Sequence, residues 1–105
     1  MTHAEIVEGM LTILNGPDSW CKGVLHDSEG RHCLLGALHV VMKCDYWTYS
    51  DELLPLLNVM DGIAREKGYQ ATYPGHGGPT VEFNNARETE YEDVRLFLKE
   101  VLVRV

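Results

Sequence analysis

Residues Thr89 to Arg104 satisfy every local requirement of one amphipathic helix, and a chain that carries such a helix must supply a surface to cover it. Tyr91, Val94, Phe97, Leu98, Val101, Leu102 and Val105 recur at the three-and-four spacing that places side chains on a single stripe. Thr89 and Glu92 have the spacing of a capping box, in which hydroxyl and carboxylate satisfy free backbone N–H groups. Glu90, Glu92 and Asp93 stand at the positive end of the helix, Lys99 and Arg104 at the negative end. Each such charge–dipole contact contributes about 0.3–1 kcal/mol.

Three further helices are predicted to provide the covering surface. Thr2 and Glu5 form a capping box ahead of Ile6, Val7, Met10, Leu11, Ile13 and Leu14, and Asn15-Gly16-Pro17-Asp18 ends that segment. Leu34 to Lys43 is apolar on nearly every side, which marks a central helix. Gly36 within it is unfavourable unless a neighbour approaches closely there. A third helix, capped at Ser50 or Leu54 with Pro55 in its first turn, carries Leu53, Leu56, Leu57, Met60, Ile63 and Ala64 and stops at Gly68.

Between the first and second of these, Val24-Leu25-His26 and Arg31-His32-Cys33 flank the turn Asp27-Ser28-Glu29-Gly30. This pattern predicts a short β-hairpin, packed against helices because two strands alone are marginal in water. Residues 69–87 show no helical period. They read as a flexible Gly/Pro loop around Tyr73-Pro74-Gly75-His76-Gly77-Gly78-Pro79, with a short strand at Thr80 to Phe83. The expected architecture is mainly α with a minor β part: four helices and one short β-hairpin in a single domain over residues 1–105.

A net charge of −7, spread along the chain, opposes binding to phosphate backbones and to anionic membrane surfaces. No apolar run approaches the ~20 residues of a membrane span. The first residues lack the basic and apolar segments of a signal peptide, so the cytoplasm is the expected location. Cys21, Cys33 and Cys44 are an odd number and fit reduced thiols in such a compartment.

Several residues carry a resemblance in their order. They are Trp20-Cys21-Lys22-Gly23, then Gly30-Arg31-His32-Cys33-Leu34-Leu35-Gly36-Ala37-Leu38, then Phe83-Asn84-Asn85 and the segment Thr89 to Val94. Together the chain resembles an uncharacterised small-domain family, of unknown function, found in actinobacteria and their phages. It departs from that pattern at Phe83-Asn84-Asn85, where an aromatic-Asn-Asp is more usual, and in the Gly/Pro/His loop. The resemblance brings no activity with it. It implies an accessory protein of a phage or an actinobacterium, acting on a host or phage protein.

Four groups of residues have the chemistry of a site. Cys21, His26, His32, Cys33, His39 and Cys44 supply soft ligands, but the paired spacings that zinc sites commonly use are absent, so no metal or other cofactor is expected. Cys33 stands at a helix start, where the dipole favours a thiolate, and Cys33, His76 and Asn84 follow the chain order of a Cys-His-Asn triad. That order arises easily by chance, and a Gly/Pro loop is a poor mount for a general base. Asn84-Asn85 reads first as a structural turn and second as a polar ligand contact. The last group is aromatic: Tyr46, Trp47 and Tyr49, with Tyr73. Trp and Tyr are enriched where proteins bind one another, so these four are the expected partner-binding residues, for a protein partner or for homodimerisation. The reading is a protein-binding domain without catalytic residues; the alternative is a thiol- or zinc-dependent enzyme centred on Cys33.

Overall fold

A computed structural model of the chain describes residues 1–43, 50–71 and 75–105. Five α-helices make up most of the described residues: α1 (His3–Ile13), α2 (Leu34–Met42), α3 (Leu54–Glu66), α4 (Gly78–Asn85) and α5 (Tyr91–Arg104). A single 3-10 turn, Pro17–Ser19, follows α1. The radius of gyration, 12.3 Å, matches the roughly 13 Å expected of a folded chain this long. Among the described residues no helix is long and apolar enough to cross a membrane.

Helices α1, α2, α3 and α5 form where the pattern predicts them. The Thr2–Glu5 capping box starts α1 in both directions, with Glu5 N donating to the Thr2 hydroxyl at 3.1 Å and Thr2 N to the Glu5 carboxylate at 2.8 Å. Ile6, Val7, Met10 and Leu14 then face inward. The predicted stripe of α3 is buried from Leu53 to Ala64, and Val94, Phe97, Leu98 and Val101 of α5 are fully enclosed. Helix α1 packs against α2 and α5, α3 against α4 and α5, and α2 against α4. Tyr91 at the head of α5 donates its hydroxyl to the Leu14 carbonyl at 2.6 Å, closing the last helix onto the first. The rings of Phe83 and Phe97 stack at 4.7 Å where α4 meets α5.

Gly36 has its predicted close neighbour. A Cβ at this position would lie 2.0 Å from the Leu25 carbonyl oxygen, so the segment before α2 can cross the helix only over glycine.

Four expectations are corrected. The hairpin is absent as a pair of strands: among the described residues there is no sheet, only isolated bridges from His32 to His26 and to Trp20. The Asp27–Gly30 turn itself is present. Its carboxylate holds it, Oδ1 accepting the N–H groups of Glu29 at 3.0 Å and Arg31 at 2.8 Å, and Oδ2 the Arg31 guanidinium at 2.5 Å. The arms are joined on either side of the His26–His32 bridge, by Asp27 N to the Arg31 carbonyl at 3.0 Å and by Cys33 N to the Leu25 carbonyl at 3.1 Å, and the second arm then ends because Cys33 caps α2.

The second correction is the helix count. Thr80 to Phe83 is not a strand but part of α4, inside the span read as a loop. Its start comes from elsewhere in the chain. Buried Asp61 on α3 accepts the Gly77 N–H at 2.8 Å, the Thr80 N–H at 3.3 Å and the Thr80 hydroxyl at 2.8 Å. Gly77, at φ +90°, has no side chain to cap the helix, and a Cβ there would press on Leu35 at 3.0 Å.

Third, the capping box of α5 is Glu90 with Asp93, one residue later than Thr89 with Glu92. Thr89 is instead buried, its N–H spent on the Ala86 carbonyl. Fourth, α3 is capped at Leu53 rather than at Ser50 or Leu54; the Ser50 carbonyl accepts from both Leu53 and Leu54 N–H groups.

Candidate functional site

Three of the four segments that carry the resemblance meet at one place, between the Trp20–Leu25 loop, the start of α2 and the end of α4. Asn84, in the last turn of α4, is the joint. Its Oδ1 accepts the Trp20 indole N–H at 2.7 Å and the Leu34 backbone N–H at 3.1 Å. Its Nδ2 donates to the Cys21 carbonyl at 3.2 Å and to Asn85 Oδ1 at 2.9 Å. Two acceptances and two donations use the full capacity of a carboxamide. Asn85 Oδ1 accepts in addition the Gly23 N–H at 2.9 Å. Lys22 lies over the Trp20 ring, 5.5 Å from its centroid, and donates to the Ala86 carbonyl at 2.6 Å.

This joint frames an open cavity of about 120 Å³. Leu25, Leu34, Leu35 and Val81 give it apolar walls, Cys33 presents its thiol side, and Asn84 and Asn85 stand at the polar edge. Val24, 51% exposed, borders it on the solvent side. An apolar cavity of about 150 Å³ suffices to take a benzene ring. This one is somewhat smaller but open beside Val24, so it suits a single branched aliphatic group, or a small aromatic one that stays partly exposed.

Cys33 is the N-cap of α2, and its sulfur accepts the Gly36 N–H at 3.3 Å. The helix start was expected to favour a thiolate. Burial instead pushes the thiol up, and the N–H groups of Gly36 and Leu35 offset this only in part. Cys21 is pushed up as well, first by burial and then by the charge of Asp27. The Cys33, His76, Asn84 order does not assemble. His76 is exposed and makes no hydrogen bond to Cys33, and Asn84 has no position left with which to orient a histidine.

Of the soft-ligand cluster, Cys44 lies outside the described residues, and His39 is buried in α2. His26 and His32 pair with each other, Nδ1 to Nδ1 at 2.7 Å, their rings nearly perpendicular. Among the described residues no three His, Cys, Asp or Glu side chains are grouped so as to hold a metal ion. The four aromatic residues expected to bind a partner, Tyr46, Trp47, Tyr49 and Tyr73, all lie outside the described residues.

Sequence reasoning weighed Cys33 and Asn84 as members of a triad and Asn84-Asn85 as a turn, and missed the cavity between them. Asn84 makes no turn; it is helical, and its partners lie 50 to 64 residues away. The available signal was Gly36, a glycine in an otherwise apolar helix, which announced a backbone crossing at this point.

A second hollow, about 260 Å³, lies between the end of α3 and the start of α5. Tyr69 and Phe83 form its floor, and Glu88 and Asp93 flank it. The Tyr69 hydroxyl donates to Glu88 at 2.7 Å, which holds that carboxyl below its ordinary value. The charge of Lys22 adds a smaller lowering to Glu88.

Comparison with curated proteins and with solved structures found no match to this chain. A family model does match, over residues 1–102, and the chain belongs to that family: the family of unknown function DUF6197.

Proposed function

We propose that this domain acts by binding another protein rather than by catalysis, and that the cavity beside Cys33 and Asn84 receives an apolar side chain of that partner. One observation carries the reading. An open apolar cavity the size of one side chain is framed by a fully satisfied hydrogen-bonded joint, with exposed Val24 at its mouth. A pocket with an apolar ledge is the kind of place where one anchoring residue supplies much of a binding energy. Tyr46, Trp47, Tyr49 and Tyr73 remain, on their residue types, a second part of the binding surface. The setting that the resemblance implies is part of the same proposal: an accessory protein of a phage or an actinobacterium, working in the cytoplasm on a host or phage protein.

Val81→Phe fills the cavity from its own wall and leaves the Asn84 joint untouched. The wild-type chain is expected to capture a partner from its natural host, and Val81→Phe to lose that partner while keeping its helical circular dichroism. Trp47→Ala is expected to weaken capture. Capture that is equal for wild type and both variants, or no capture by the wild type, overturns the proposal.

A further inference from the structure

We propose that the His26–His32 pair is a one-proton latch on this cavity: a single proton between the two rings holds the cavity wall in place, and a second proton releases it. The inference rests on the cavity being a binding site, and it concerns how that site is regulated.

The geometry requires a count of protons. Two Nδ1 atoms at 2.7 Å form a hydrogen bond only if one carries a proton and the other offers its lone pair. Two imidazolium rings would set donor against donor and positive charge against positive charge, so they must part. The pair sits where parting matters. His26 follows Leu25 and His32 precedes Cys33, and both of those residues line the cavity. The two are joined directly, Cys33 N donating to the Leu25 carbonyl at 3.1 Å. That same carbonyl crosses Gly36 with no room to spare, and the His26 ring lies against the same glycine. His32 cannot yield alone, since its backbone is fixed on both sides by Ser19 and Cys21. The His26 arm, with Leu25 attached, is the part that shifts once the ring-to-ring bond is broken.

The charged groups around the pair set the direction. Asp27, on the same turn, favours the protonated form of His32, but its carboxylate is already engaged by Arg31, which also reaches Glu29. From α2, Gly36 faces the His26 ring and brings no charge; the neighbouring thiols of Cys21 and Cys33 are pushed up and stay neutral. Burial, and next the charge of His26, hold His32 below the ordinary histidine value of 6.5. The folded surroundings thus disfavour a proton added to His32. The latch is closed above that value, and loses stability as pH falls through it, where an open pair takes the second proton more readily.

The test uses the full chain with chelator present, between pH 8 and 5. Exchange of the Cys33 amide is measured relative to its intrinsic rate at each pH, and benzene binding is followed through the methyl resonances of Leu25 and Leu35. On acidification the Cys33 amide is expected to lose about tenfold in protection, with α5 unchanged. Benzene binding is expected to weaken over the same range. His26→Phe keeps a ring on Gly36 and removes the proton site, so its Cys33 exchange should no longer respond to pH. Wild-type protection that is constant from pH 8 to 5, or a response that survives in His26→Phe, overturns the latch. If benzene binds at no pH while the Cys33 step is present, the cavity reading falls, and the latch, left with no site to regulate, falls with it.

Discussion

The indole N–H of Trp20 reaches Asn84 Oδ1 at 2.7 Å across 64 residues of chain, and this one bond ties the loop after the 3-10 turn to the end of α4. The same oxygen holds the first N–H of α2. One carboxamide therefore sets the relative position of three segments and the shape of the cavity between them.

Asn84→Ala leaves the Trp20 indole and the Leu34 N–H without their partner. An unsatisfied buried polar group costs about 1–3 kcal/mol. The expected loss is about 3 kcal/mol, read from urea denaturation. Asn84→Asp is expected to cost as much despite its equal size, because a carboxylate oxygen would then face the Cys21 carbonyl in place of a donor. An aspartate variant as stable as wild type would show that Nδ2 contributes nothing.

Gly36→Ala puts a methyl 2.0 Å from a backbone oxygen that is itself bonded to Cys33 N. In an open helix this change would stabilise by about 1 kcal/mol. Here overpacking reverses the sign, with an expected cost of about 3 kcal/mol. A variant with a raised melting temperature would show that the Leu25 segment moves aside freely.

Asp61→Asn replaces one acceptor of the α4 cap with a donor that faces either the Gly77 N–H or the Thr80 donors. The expected cost is about 2 kcal/mol, concentrated in α4. Amide exchange should rise at Thr80 and Val81 before it rises in α1 or α5. Uniform destabilisation along the chain would contradict a role confined to starting α4.

Acid should loosen the Asp27–Gly30 turn. Burial acts to raise the Asp27 carboxyl, but the N–H groups of Arg31 and Glu29 and the Arg31 charge outweigh it, and the group sits below the ordinary value of 3.8. A depressed carboxyl stabilises the fold fully above that ordinary value and ceases to do so as pH falls through the folded one. Protection of the Arg31 amide is therefore expected to hold at pH 5 and to fall in the acid range below 3.8. Asp27→Ala should show the loosened turn at every pH.

How much the chain announces about itself differs by element. Helices α1, α2, α3 and α5 were legible because each carries its own apolar period, and period reports which face must be buried whatever it is buried against. Gly36 was legible for a related reason: a glycine inside an apolar helix has a cost that only a close neighbour offsets. Helix α4 was not legible. It is short and weakly amphipathic, and its cap is Asp61, sixteen residues before Gly77. The hairpin was cut short for a different reason: a good turn sequence is present, but the second arm ends at Cys33, which caps α2. Thr89 lost its capping role because the fold buries it.

The same division holds at the site. Cys33 and Asn84 were visible as residues with chemistry, and Trp20 as part of the same recurring pattern. Only the tertiary structure decided that Asn84 spends all four of its hydrogen bonds on joining segments, that Cys33 is a buried cap, and that an open cavity is left between them. Residue type and local spacing determine what a segment must bury. Partners 50 to 64 residues away leave no period in the chain, so what a polar group bonds to is settled only when the helices pack.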